Sequence, residues 1–240
     1  GLMNFGFAGV LDEQLVTIGS SLKEAFENSQ YHLIVKALLL KDGLNYGSLP
    51  KGLIKFHNYK HEVRTPVEEH FAEANAYASG KNSIAKIHFT VSPEHQIASE
   101  KHAQEVKSKW TDAQFEISFS TQKKTTDTIA VNMDNTPFVE TDGSLLFRPA
   151  GHGALLENLN EIDADIIFIK NIDNVVPDRI KDETIKYKKV LAGLLLKLQA
   201  QIFDYQNNLE KDGSKVELAN IIDFVTTKLM IQLPLIQVPH

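Results

Sequence analysis

Between Thr65 and Lys170 the hydrophobic period switches repeatedly between that of a helix and that of a strand, and this alternation constrains the fold more than any other feature. Thr65-Pro66-Val67-Glu68 reads as an N-cap, a proline at the first helical position and a glutamate at the third, opening a helix to about Ser79-Gly80. Ile84 to Thr90 reads as a strand. Ser92-Pro93-Glu94-His95 opens a second helix reaching about Trp110, and Phe115 to Ser120 is a strand of alternating side chains. Residues 121–147 read as irregular, with short extended pieces near 129–131 and 145–147, before a helix from Ala154 to Asn160. Asp165-Ile166-Ile167-Phe168-Ile169-Lys170 is a near-continuous apolar run, as expected of a parallel strand buried on both faces. The order implies an α/β fold with a mainly parallel sheet.

Helical segments flank this core. Apolar residues at helical spacing predict helix over 9–41, stopped at Lys41-Asp42-Gly43 with Gly43 suited to a left-handed position. A turn-rich loop from Gly43 to Gly52 precedes a short strand at Leu53-Ile54-Lys55-Phe56. Beyond Pro177 an aliphatic stripe over 181–210 and a second helix over 216–230, separated at Asp212-Gly213, suggest a helical hairpin with the stripe as core. The expected organisation is a helical segment at 1–42, an α/β core at 43–180 and a hairpin at 181–240.

Composition excludes several classes. There is no cysteine, which removes disulfides and thiolate sites and is compatible with a reducing compartment. A net charge of −6 argues against a nucleic-acid surface. No apolar run approaches the roughly 20 residues that span a bilayer, and no signal peptide is visible. The expectation is a cytoplasmic protein without nucleic-acid or membrane partners.

Three places offer chemistry. Gly151-His152-Gly153, ahead of a helix, lets backbone approach a flat or anionic ligand; the same pattern suits an ordinary tight turn. Asp173-Asn174 follows the buried run, where open α/β sheets place ligands. The aspartate suits Mg²⁺ and the asparagine a ribose, sugar hydroxyl or phosphate, although an Asx-turn at the strand end reads equally well. Lys51, between Pro50 and Gly52, can set an ammonium against a phosphate, or be a solvated loop lysine. The nine histidines include the pairs His57/His61 and His95/His102, but no metalloprotease motif and no serine elbow accompanies them.

In sequence order, Leu49-Pro50-Lys51-Gly52-Leu53, Thr90 to His95, Phe115 to Phe119, Arg148-Pro149-Ala150-Gly151-His152-Gly153 and Ile166 to Asn174 resemble the UDP-sugar pyrophosphorylases. A bacterial family of uncharacterised proteins, a domain of unknown function, is resembled as well, through Gly43 to His57, Arg64-Thr65-Pro66 with Glu68-Glu69-His70, and Gly151 to Asp178. The resemblance covers about residues 43–180. It implies the nucleotide-diphospho-sugar transferase (GT-A-like) fold, with a Rossmann-like, mainly parallel sheet, and a set of roles. Gly151 and Gly153 would line the base with His152 between them, Asp173 would bind Mg²⁺, Asn174 the sugar or ribose, and Lys51 would face the α-phosphate as the catalytic cation. The implied reaction is nucleotidyl transfer, in which a sugar phosphate attacks the α-phosphorus of a nucleoside triphosphate and pyrophosphate leaves.

One departure bears on activity. Those enzymes carry a glycine-rich loop with an arginine upstream of the Pro-Lys-Gly segment, and Asn4-Phe5-Gly6-Phe7-Ala8-Gly9 has glycines but no arginine. The expectation is therefore a nucleotidyltransferase-like domain that binds a nucleotide or nucleotide sugar with Mg²⁺. This chain would be a fragment, inactive alone, of a longer enzyme. The alternatives are a non-catalytic nucleotide-sugar-binding or scaffold module and a glycosyltransferase on the same fold.

Overall fold

Gly19 and Ser29 break what the apolar spacing reads as one long N-terminal helix: both hold positive φ, 82° and 56°, outside the α region. The computed structural model, which describes residues 1–80, 82–212 and 218–232, shows α1 (Ala8–Val16), α2 (Leu22–Glu27) and α3 (Tyr31–Leu39) instead. Ser21 caps α2, its hydroxyl accepting from the Glu24 amide, and Asp12 Oδ1 accepts from the Leu22 amide at 2.6 Å. Leu11, Leu15, Leu22, Ala25, Ile34 and Ala37 bury themselves in a small core of their own. Gly43 is needed for space rather than for a left-handed conformation. A Cβ there would lie 2.1 Å from the Ala37 carbonyl oxygen, where the chain turns back and Leu44 N donates to that oxygen at 2.7 Å.

The expected strand at 53–56 is replaced by a 3₁₀ turn, Lys51–Leu53, followed by a hairpin of β1 (His57–Asn58) and β2 (Val63–Arg64). Helix α4 (Pro66–Tyr77) begins with the full capping box: Thr65 accepts from the Glu68 amide and Glu68 reaches back to the Thr65 amide. Strand β3 (Ile84–Val91), helix α5 (Gln96–Ser108) and strand β4 (Gln114–Thr121) form one parallel βαβ unit, registered from Ile84↔Gln114 to Val91↔Thr121. Ala85, Ile87, Phe89 and Phe115 meet Val67, Phe71 and Ala74 of α4 and Ala103 and Val106 of α5 in the second core, with the Phe71 and Phe115 rings 4.7 Å apart. The opposite face of the pair is polar, with Lys86–Glu116 at 3.5 Å and His88 between Ser118 and Ser120, 2.8 Å from each. The period-two alternation of both strands matches this half-solvated sheet.

Strands β5 (Thr128–Ile129) and β6 (Phe147–Arg148) pair antiparallel, and α6 (Leu156–Asn160) follows a 3₁₀ turn at His152–Leu155. The protein is thus a mixed helix-and-strand fold, and each of its three sheets among the described residues has two strands. The apolar run at 165–170 is not a strand: no backbone hydrogen bond pairs it with one among the described residues. It is tied to α4 by side chains, Phe168 on the Tyr77 ring at 4.9 Å and Lys170 on Glu73. A short apolar run carries the same pattern in both settings, which is why periodicity alone misplaces it.

Two compact units result, residues 1–185 and 186–240. Helix α7 (Asp178–Asp212) runs on from the first into the second, where α8 (Leu218–Asp223) and a π-helical turn (Phe224–Lys228) complete the described chain. Tyr205 packs edge-on against Phe224 at 5.5 Å. Along the aliphatic stripe Val190, Leu191, Leu194 and Leu195 are exposed, so this part of it is not core. The Gly213 of the expected helix break lies outside the described residues. No described helix is long and apolar enough to cross a membrane.

Candidate functional site

Lys51 and Asp173 are 122 residues apart in sequence and meet as an ion pair, Nζ to Oδ2, at 2.7 Å. Lys51 sits at the head of its 3₁₀ turn, where Leu53 N donates to Pro50 O at 3.0 Å. Asp173 occupies the second central position of a β-turn closed by Asn174 N donating to Asn171 O at 3.1 Å. Buried Gly52 lets the two turns nest: a Cβ there would stand 3.2 Å from Ile172 Cγ1 and 3.4 Å from Val67 Cγ2. The pair itself remains open to solvent, with side-chain exposures of 66% for Lys51 and 36% for Asp173. The Lys51 ammonium holds the Asp173 carboxyl below the usual carboxylate value. Asn174 is exposed beside it.

Gly151, His152 and Gly153 are exposed, and no hydrogen bond, ion pair or ring contact joins them to Lys51 or Asp173 among the described residues. Neither glycine has positive φ, and a Cβ on either would meet nothing within 4 Å. The fold's own packing therefore gives no reason for glycine at either place, in contrast to Gly43 and Gly52.

What sequence reading passed over is the inner face of α4. Glu68, Glu69 and Glu73 are all buried, at 5%, 0% and 1% exposure, and each takes a lysine from elsewhere. Glu68 receives Lys109 at 2.7 Å and Lys55 at 3.5 Å. Glu69 receives Lys181, His57 Nδ1 at 2.9 Å and the Tyr59 hydroxyl at 2.6 Å. Glu73 receives Lys170 and the Tyr77 hydroxyl, while its Oε1 is buried without a partner. Burial, reinforced by these carboxylates, raises the pKa of both tyrosines. Between the glutamates, His70 Nε2 lies 3.0 Å from the Ile172 carbonyl oxygen, and burial pushes its imidazole below the usual 6.5. The signal was present in Glu68-Glu69-His70-x-x-Glu73, charged residues on a face whose neighbours Val67, Phe71 and Ala74 are core.

The geometry fits Mg²⁺ only in part. No three His, Asp or Glu side chains gather as a metal-binding group among the described residues, so Asp173 offers a single carboxylate, the complement Mg²⁺ takes when phosphates and waters complete its shell. A concavity of about 230 Å³ is lined by Glu62, Arg64, Glu68, Val106, Lys109 and Trp110, and another of about 170 Å³ by Gln201, Tyr205, Asn220, Asp223, Phe224 and Lys228; neither includes Lys51 or Asp173.

Fold and site together define a mixed α/β protein with an exposed lysine–aspartate pair seated on a buried acidic helix. The chain belongs to the family described as Domain of unknown function (DUF4301), which it matches over residues 1–238. No curated protein and no solved structure matches it significantly.

Proposed function

We propose that the Lys51–Asp173 pair binds the phosphates of a nucleotide or nucleotide sugar together with Mg²⁺, in a nucleotidyltransferase-like domain of GT-A type. The observation that carries this reading is the pair itself: a lysine and an aspartate from distant segments meet at 2.7 Å in the open, on turns whose stems are anchored below. An exposed ion pair contributes little to stability, so folding alone gives weak reason to bring these two together. With ligand, Lys51 would turn to a phosphate oxygen as a compact point charge, and Asp173 would hold the cation. When bound, Mg²⁺ would neutralise phosphate charge. Asn174 and the uncrowded Gly151-His152-Gly153 turn would take the ribose or sugar and the base. No side chain at the pair is placed as a nucleophile, so the chemistry it suits is positioning and charge neutralisation, which is what phosphoryl-type transfer needs.

A non-catalytic binding module is the second reading, favoured by the solvent exposure of the pair, since electrostatic catalysis is strongest where water is excluded. Calorimetric titration with UTP and MgCl₂ tests the first. Saturable, Mg²⁺-dependent binding lost in Asp173→Ala is the expected result; binding unchanged in that variant sinks the assignment. Binding that ignores Mg²⁺ supports the second reading, and turnover with a UDP-sugar donor would move the assignment to a glycosyltransferase.

A further inference from the structure

We infer that His70 is a positioning residue for the Asp173 turn, fixing through its Nε2–H bond the peptide plane that carries Asp173. This rests on the phosphate-site reading above. The Ile172 carbonyl can only accept, so at 3.0 Å His70 Nε2 is the donor. That carbonyl belongs to the peptide linking Ile172 to Asp173, and its orientation sets the direction in which the aspartate leaves the turn.

Little else holds that plane. The turn has one internal backbone bond, from Asn174 to Asn171, and no strand pairs with it among the described residues. Its remaining anchors come mainly from α4. Lys170, just before the turn, is held by Glu73, and Lys181, beyond it, by Glu69. The Lys51 turn is held by the same helix, since Lys55 goes to Glu68 at 3.5 Å and Gly52 lies against Val67. These ion pairs secure the stems of both turns. Of the side-chain hydrogen bonds among the described residues, only the one from His70 reaches the backbone of this turn. Because α4 is capped by its own box and packed through Val67, Phe71 and Ala74, its side chains form a rigid platform.

The test compares His70→Leu, which removes the donor, with His70→Gln, whose amide restores one near the Nε2 position. Hydrogen exchange of the Asn174 amide, which closes the turn on Asn171 O, should accelerate about tenfold in the leucine variant when read without ligand, the loss of one hydrogen bond. In the glutamine variant it should stay near the native rate. Affinity for Mg²⁺·UTP should fall about tenfold in His70→Leu and recover in His70→Gln, with the thermal midpoints of the two variants alike. Native exchange in His70→Leu, or no recovery in His70→Gln, overturns the positioning role. If exchange behaves as expected and the wild-type chain does not bind Mg²⁺·UTP, the positioning role stands and the phosphate-site reading falls.

Discussion

Lys181–Glu69 and Lys51–Asp173 are the same chemical pair in opposite surroundings. The first is almost wholly removed from water, at 5% and 0% side-chain exposure, and the second lies open at 66% and 36%. Removing two charges from water is repaid only when further hydrogen bonds satisfy them, and Glu69 has His57 and Tyr59 as well as its lysine. That pair is committed to structure, because releasing either partner leaves a buried charge with fewer groups to neutralise it. The open pair has no such commitment, and water or a ligand can replace either partner at small cost. Burial, rather than the identity of the charges, separates the pair that holds the molecule from the pair that stability hardly needs.

The largest effect should come from breaking the buried pair. Glu69→Ala takes from buried Lys181 its buried carboxylate, leaving it the half-exposed Asp178 at 2.9 Å, and should lower unfolding free energy by about 3 kcal/mol, read by chemical denaturation; a loss below about 1 kcal/mol would put Glu69 in the same class as the exposed aspartate. Phe71→Ala, at the centre of the core beneath α4, should cost a similar 3–5 kcal/mol. It separates loss of packing from loss of charge, since its Mg²⁺·UTP affinity should be native wherever the chain remains folded. Thr65→Ala removes the cap of the helix carrying all three glutamates and should cost about 1 kcal/mol.

Smaller is the effect of pH on stability. Burial depresses the imidazole pKa of His70, His88 and His102 below 6.5. A base depressed by folding contributes stability that is complete above 6.5, because below it the unfolded chain takes up the proton first. Denaturation midpoints should therefore fall as pH drops from 7 to 5, and His102→Gln should reduce that fall; an unchanged slope in the variant would assign the dependence elsewhere. Smallest in stability is Lys51→Ala, at under about 1 kcal/mol, yet it should abolish Mg²⁺·UTP binding. That divergence between stability and binding is what the comparison of the two pairs requires.

Local signals were legible without any tertiary information. The Thr65-Pro66-x-Glu68 box writes its own helix start, because capping needs only residues within one turn. The strands at 84–90 and 115–120 were readable from their own residues, since strand patterning is local. Lys51 and Asp173 could each be picked from their loops, but their meeting could not, since no pattern within either segment encodes a contact 122 residues away.

What the sequence determined by itself is thus the local part: the capped helix α4, the parallel βαβ unit with its alternating faces, and candidate ligand-binding turns at Lys51, Gly151 and Asp173. Tertiary structure decided the rest. It laid the apolar run at 165–170 on α4 instead of in a sheet, because an extended apolar segment satisfies its side chains in either place. It turned three glutamates of α4 inward, because cations from segments distant in sequence arrive to neutralise them. Burial and partners are properties of the assembled chain, and they decide which of its lysine–carboxylate pairs is structural and which is left open to solvent.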